Sequence, residues 1–272
     1  MDVRMIDHPL NAVRKDLGDG RYSLDLQRAE AIFSGDIRRT KNILMQSRDE
    51  QYLAEWSDGL AIYASTFRSV KAQFASKGTD PSQATAFLGL ESVAQSLSSL
   101  AKMLISLKQQ RFHDAWVHLV DSEEWATLAR KAGIRESETD WVLQRIRVHE
   151  EHTFPKMVFA SAAFTAYGGV CTVCGQGFDE CVHEEGLIYN GQMCALHMFT
   201  DLEFHHQAIV ELPRDKRCYA TAASHGEGIW VDWFTGVEQM QQEEEVEEVE
   251  QKNGVRVQMT IFRNQLPFGA LL

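Results

Sequence analysis

Between Ser23 and His152 the apolar residues recur at alternating spacings of three and four, the mark of helices with one buried face. This pattern predicts helices over 24–33, 36–47 and 50–77. A further helix opens at Asp80-Pro81, where the aspartate can cap the first turn and proline suits a position that needs no N–H. Its apolar seam runs through Leu90, Val93, Leu97, Leu100, Leu104 and Leu107. The helix before it offers Leu60, Tyr63, Phe67 and Phe74, and residues 77–80 are a short linker, so the two should form a long antiparallel hairpin. Shorter helices are expected over 111–120, over 121–133 and over 136–151. In the second of these, Asp121 with Glu124 three residues on reads as a capping box, and Gly133 as the stop. The total is six or seven helices, with no repeat of fixed length.

The pattern changes after Pro155. Helical periodicity stops, and glycine, aromatic and cysteine content rises. Ile188 and Tyr189 lead into Asn190-Gly191, a strong hairpin signal. Residues 208–212 read as a strand ended by Pro213, and 229–234 as another. Val255, Val257, Met259 and Ile261 alternate with polar residues, as a half-buried strand should. The expected class is therefore α+β: a helical domain over 1–154, then a small β-rich domain over 155–272. The first 20 residues or so read as an irregular or short-strand lead-in.

Charge adds one feature. The net charge is −12, and the seven glutamates and one lysine of 238–252 carry half of it. We read that segment as solvated and low in complexity. An acidic chain is a poor default ligand for nucleic acid or for an anionic membrane, because both need Lys and Arg. The N-terminus lacks the apolar core of a secretory signal, and the least polar stretch, 157–170, is too short to span a bilayer. These features point to a cytoplasmic protein.

The segment 171–197 holds four of the five cysteines and two of the ten histidines. In a reducing compartment, clustered thiols favour metal over disulfide. Cys171 and Cys174, followed by Gly175, have the spacing of a metal knuckle, in which a tight turn aims both sulfurs at one point. Cys181 and His183 lie on the same side of an extended segment. Cys194 returns after the Asn190-Gly191 turn, and His197 follows it by three. Three ligand sets fit: Cys171, Cys174, Cys181 and His183; the same with Cys194 for Cys181; or a ribbon closed by Cys194 and His197. We favour the second, with Cys181 as the competing thiolate, and zinc as the ion. Glu184 and Glu185 adjoin His183, so a zinc-dependent hydrolase using His183 and Glu184 is the competing reading. The abundance of thiolates favours a closed structural site over one with an open water position.

The elements Cys171, Cys174, Gly175, Cys181, His183, Gly186, Tyr189, Gly191 and Cys194 occur here at the spacing of a zinc-binding module. In this the stretch resembles phage-related proteins of the prohead-protease-like kind. The likeness covers about 171–213. It implies zinc, with Cys171, Cys174, Cys181, His183 and Cys194 as site candidates, and a phage, prophage or anti-phage setting. Protease chemistry is not carried over, because Ala208 stands where the family's serine would be.

Other candidates have plainer readings. His149 and His152 mark a solvated helix end, and His205 and His206 lie on opposite strand faces. Arg214, Lys216 and Arg217 form a basic patch too small for more than weak phosphate contact. Cys218 beside it reads as structural, although its basic neighbours could lower its pKa. Trp230 and Trp233 read as core. The expectation is a zinc-binding interaction or regulatory protein, not an enzyme, that meets a protein partner through its helical domain. A nucleic-acid-associated zinc ribbon is a further alternative.

Overall fold

The computed structural model describes residues 26–47, 49–78, 80–177, 179–224, 229–240 and 256–259. The N-terminal lead-in, the glutamate-rich run from 241 and the Asn253-Gly254 turn lie outside them. Among the described residues there are five helices: α1 (Leu26–Gln46), α2 (Glu50–Lys77), α3 (Pro81–Lys108), α4 (Phe112–Lys131) and α5 (Glu136–His152). The described residues thus do not confirm the expected six or seven, because two pairs of expected helices are continuous.

The first join runs through Ser34-Gly35. A glycine weakens a helix but does not end one unless something replaces the lost hydrogen bonds. Asp36, read as the start of a second helix, lies inside α1, and its carboxylate accepts from the buried Tyr63 hydroxyl. One turn on, Thr40 donates to the Asp36 carbonyl at 2.7 Å and accepts from Trp56 Nε1 at 2.8 Å.

The second join runs through the supposed capping box. Asp121 and Glu124 cap nothing. They sit one turn apart on α4 and both grip the guanidinium of Arg217, almost a hundred residues later. An aspartate three residues before a glutamate serves equally as a cap or as two carboxylates on one helix face. Here the distant cation decides.

The predicted hairpin is present. Asp80 accepts from Ser82 N and Gln83 N at the start of α3, and Gly78 closes α2 with a φ of +61°. Ser57 faces Ser98, and Phe74 stacks on Phe87, so α2 and α3 run antiparallel. Glu91 is fully buried at this contact, with Arg68 Nε at 2.7 Å and Lys71 Nζ at 2.9 Å. The expected seam was only part of the story, because α4 packs on another face of α3. Ser96 pairs with Ser122, and an added Cβ at Gly89 would lie 2.7 Å from Ile134. α3 is thus the central helix. Of its buried serines, Ser92, Ser96 and Ser98 donate to the carbonyls of Leu88, Ser122 and Ser57, whereas the buried Ser106 hydroxyl has no partner.

The β-rich part is built onto α4. Trp116 is fully buried, with the rings of Phe154, Phe159 and Tyr219 around it at 5.2, 6.1 and 6.2 Å. Its Nε1 donates to the Lys216 carbonyl at 2.8 Å. One apolar core therefore runs through residues on both sides of position 155. Strands β5 (Ala220–Ser224), β6 (Ile229–Asp232), β7 (Glu238–Met240) and β8 (Arg256–Met259) form an antiparallel sheet in the order β7-β6-β5-β8. Trp230 and Trp233 are only half-buried at its side.

Two more strands form a long ribbon, β1 (Phe159–Cys171) with β4 (Leu196–Val210). It is far longer than the short strand expected near 208–212. A small hairpin, β2 (Ile188–Tyr189) and β3 (Gln192–Met193), lies between them in sequence. Among the described residues no helix is long and apolar enough to cross a membrane.

Candidate metal centre

Two elements carry the cysteine segment: the far end of the ribbon and the small hairpin. Cys171 ends β1, where the chain turns sharply. Gly175 N donates to the Cys171 carbonyl at 2.9 Å, and Gly175 has a φ of +70°, which suits glycine best. This turn folds Cys174 back beside Cys171. The hairpin turns as its sequence predicted, with Asn190 and Gly191 at φ +49° and +76°. Cys194 N donates to the Leu187 carbonyl at 2.7 Å, which extends the hairpin and sets Cys194 beside Cys171. Thr172 ties both parts, since its hydroxyl bonds Met193 O and Ala195 N, each at 2.9 Å.

The hairpin is also pinned to the helices. Asn190 Nδ2 donates to the Ala75 carbonyl at 3.1 Å, and Gly191 N to Thr85 Oγ1 at 3.3 Å. A Cβ on Gly191 would lie 2.7 Å from the Ala84 carbonyl oxygen. Ile188 and Met193 pack on Leu88, Trp125, Leu128 and Ala132. The cluster therefore stands on a scaffold anchored where α2 ends and α3 begins.

The ligand atoms of Cys171, Cys174, Cys181 and His183 all lie within 4.8 Å of one another. Cys174 Sγ is 3.6 Å from Cys181 Sγ, and His183 Nδ1 is 3.4 Å from Cys181 Sγ and 3.9 Å from Cys171 Sγ. Four bonds of about 2.3 Å to a tetrahedral ion would separate the donors by about 3.7 Å. The four groups thus have the spacing that a metal ion requires.

Cys181 and His183 flank Val182, which is 90% exposed, as an extended segment with both ligands on one side demands. Tyr189 holds the imidazole by an edge contact at 4.4 Å, and its hydroxyl accepts from Glu184 N at 3.1 Å. Backbone N–H groups aim at two sulfurs: Val173 N at Cys171, 3.4 Å, and His183 N at Cys181, 3.3 Å.

The fifth candidate, Cys194, is buried and reaches 3.7 Å from Cys171, but it is not in the mutually close set. The preference for Cys194 over Cys181 is thus reversed in the geometry. That preference rested on the hairpin's return, which does occur. What sequence could not show is that the chain from 175 to 181 folds back far enough to place Cys181 against Cys174. His197 pairs with Val170 on the ribbon and is outside the cluster.

The thiols perturb one another strongly. Burial pushes the Cys171 thiol up, but N–H groups of Cys174 and Val173 and the thiols of Cys181 and Cys194 overcome it and bring it down to about 6. Cys194 is pushed up to about 11 by burial and by Cys171. Cys181 is also pushed up to about 11: the His183 N–H lowers it, but desolvation and the Cys171 and Cys174 thiols raise it further. One thiolate at Cys171 thus holds its neighbours protonated. A bound cation removes that conflict, because thiolates that repel each other all point at its charge. The described cysteines form no disulfide.

The other candidates are spent structurally. Glu185 pairs with Arg214 at 3.1 Å, and Glu150 and Glu123 both hold Lys216. Arg217 is buried among Asp121, Glu124 and Asp215. The basic patch therefore faces carboxylates of its own chain rather than a phosphate. Burial and Asp215 raise the Cys218 pKa, and Arg217 only partly opposes them, the reverse of the activation its basic neighbours suggested. His149 bonds Thr153 at the end of α5, and His205, at a ribbon bulge, bonds Thr165 at 2.7 Å.

One polar group escaped the sequence reading. His113 sits between Asp232, at 2.9 Å, and the buried Tyr219, at 3.1 Å. No spacing signal links residues so far apart in sequence.

The fold and site define a mixed helix-and-strand protein with a compact Cys3His cluster that could hold a metal ion. No protein-family model matches the chain, and no curated protein or solved structure matches it significantly.

Proposed function

We propose that this is a zinc-binding interaction or regulatory protein whose zinc is structural. The observation that carries the reading is the mutual closeness of three thiols and one imidazole, enough donors to fill a tetrahedral ion without a water ligand. Thiolate and imidazole donors together suit zinc better than magnesium or calcium, which take oxygen ligands. The ion would clasp the ribbon end to the 181–183 segment, which leads into the hairpin that is pinned to the helices. A β-rich segment with few apolar contacts of its own gains most from such a clasp. The helical part would offer surface to a protein partner, and the motif's likeness to phage-related modules supports a phage, prophage or anti-phage setting.

The competing hydrolase reading needs a free carboxylate and an open coordination position. Glu185, one of the two adjoining carboxylates, is engaged by Arg214. Cys194 supplies yet another thiol beside the set.

Elemental analysis of purified protein should give one zinc per chain. Chelation should lower the melting temperature and loosen the 171–197 segment in hydrogen exchange. A chelated protein that keeps its fold and loses a hydrolytic turnover would overturn the structural reading.

A further inference from the structure

Between its two anchored ends the β1–β4 ribbon pairs with no third strand among the described residues. At one end Phe159 is buried in the main core, and at the other Cys171 joins the cysteine cluster. Along β4, Met198 to Ile209 are exposed without interruption. A lone pair of strands is marginal in water, and stability ordinarily needs a third strand or a packed face.

The register shows what the uncovered surface is. Residues directly opposite each other share a face. One face pairs Phe164 with Phe204, Ala166 with Leu202 and, beyond the bulge, Ala160 with Ile209. The other pairs Thr165 with Glu203, Tyr167 with Asp201 and Ala163 with His206. The ribbon is thus amphipathic, but its apolar face looks into solvent. Phe164, Leu202, Phe204 and Ile209 are 45, 56, 59 and 68% exposed.

We infer that this face is where a second copy of the chain docks, the two ribbons packing face to face about a two-fold axis parallel to the strands. Three observations select a second copy. The first is area. At roughly 200 Å² per large apolar side chain, the four residues expose about 450 Å² in each copy. Two copies would bury about 900 Å² from these side chains alone, close to the 1,000 Å² or so that a specific interface needs.

The second is shape. Outside the Phe164–Phe204 pair, β1 contributes alanine where β4 contributes a large side chain. A two-fold axis along the strands sets β4 of one copy over β1 of the other, so bulk meets space on both sides of the axis. The third is charge. The face carries no charged residue, only Gln207 opposite Ala162. Asp201 and Glu203 lie on the opposite face, so two acidic chains can meet there without burying carboxylates. The inference is independent of the metal's identity.

Sedimentation of the full-length protein across about 1–100 μM tests it. The expected result is a dimer. Phe204→Glu and the milder Phe204→Ser should each weaken dimerisation at least about 30-fold, since each change is felt twice in a symmetric pair. Far-UV circular dichroism and bound metal should stay unchanged, and Glu203→Gln on the polar face should leave the dimer intact. A monomer at 100 μM overturns the inference, whether another segment or another protein covers the face. A dimer insensitive to both Phe204 variants overturns it equally.

Discussion

Replacing Arg217 with methionine should be among the most damaging single changes in this protein, although Arg217 is no part of the Cys3His cluster. Its side chain is 1% exposed and holds three carboxylates. Nη2 lies 2.6 Å from Asp121 Oδ1, Nη1 lies 2.9 Å from Glu124 Oε1, and Nη1 reaches Asp215 at 3.0 Å. Methionine keeps much of the volume and removes the charge. Breaking a buried ion pair from one side costs about 3–5 kcal/mol, because the partners are left charged and unpaired. At about 2–3 °C per kcal/mol for a chain of this size, the melting temperature should fall by about 6–15 °C.

The pH dependence gives a sharper signature. Burial raises the Asp121 pKa, but hydrogen bonds from His118 and Arg217 outweigh it and hold it below the usual carboxylate range. A depressed carboxylate stabilises the fold above its unfolded pKa, and that stability is lost as pH falls through the folded value. Glu124 is the opposite case, with burial outweighing Arg217 and its pKa raised. Without Arg217, Glu124 follows burial further upward and Asp121 keeps only His118 against its burial, so the cost is greatest at neutral pH and relieved on acidification. The deficit of the variant should therefore shrink between about pH 6 and pH 4, where carboxylates with raised pKa take up protons. Adding Asp121→Asn and Glu124→Gln should recover much of the lost stability at pH 7. Thermal melts followed by circular dichroism measure all of this. A loss under about 2 °C, or a deficit that grows on acidification, would refute the reasoning.

Three further outcomes follow from the geometry. Cys181→Ser should lose most of its bound metal while Cys194→Ser retains it, as zinc per chain will show; the reverse result would place Cys194 in the ligand set. Gly191→Ala should lower stability by about 1–3 kcal/mol, because the residue has a φ of +76° and its new Cβ would meet the Ala84 carbonyl. Limited proteolysis should then cut near the 188–193 hairpin first. Trp116→Phe keeps most of the buried ring but leaves the Lys216 carbonyl without its indole donor, which should cost about 1–3 kcal/mol in denaturant unfolding.

The local features that a few neighbouring residues determine by themselves were legible in the sequence. The start of α3 at Asp80-Pro81, the turn at Asn190-Gly191, the knuckle at Cys171–Cys174 and the outward Val182 between two ligands all appear as read. Each depends on φ preferences, caps or side-chain alternation within a handful of positions. The apolar periodicity likewise set the long antiparallel hairpin of α2 and α3.

Tertiary structure decided whatever depended on a partner distant in the chain. Asp121 and Glu124 spell a capping box, and only Arg217 shows that they are the two jaws of a buried ion pair. Asp36 reads as a helix start until the Tyr63 hydroxyl claims its carboxylate. The strand β1 was hidden in an alanine- and glycine-rich stretch whose pairing with β4 no local pattern announces. The choice between Cys181 and Cys194 needed the path of the loop after Gly175. In each case the same residue types satisfy two local readings nearly equally, and the energy that separates them comes from a charge, a hydroxyl or a strand that chain folding brings from elsewhere.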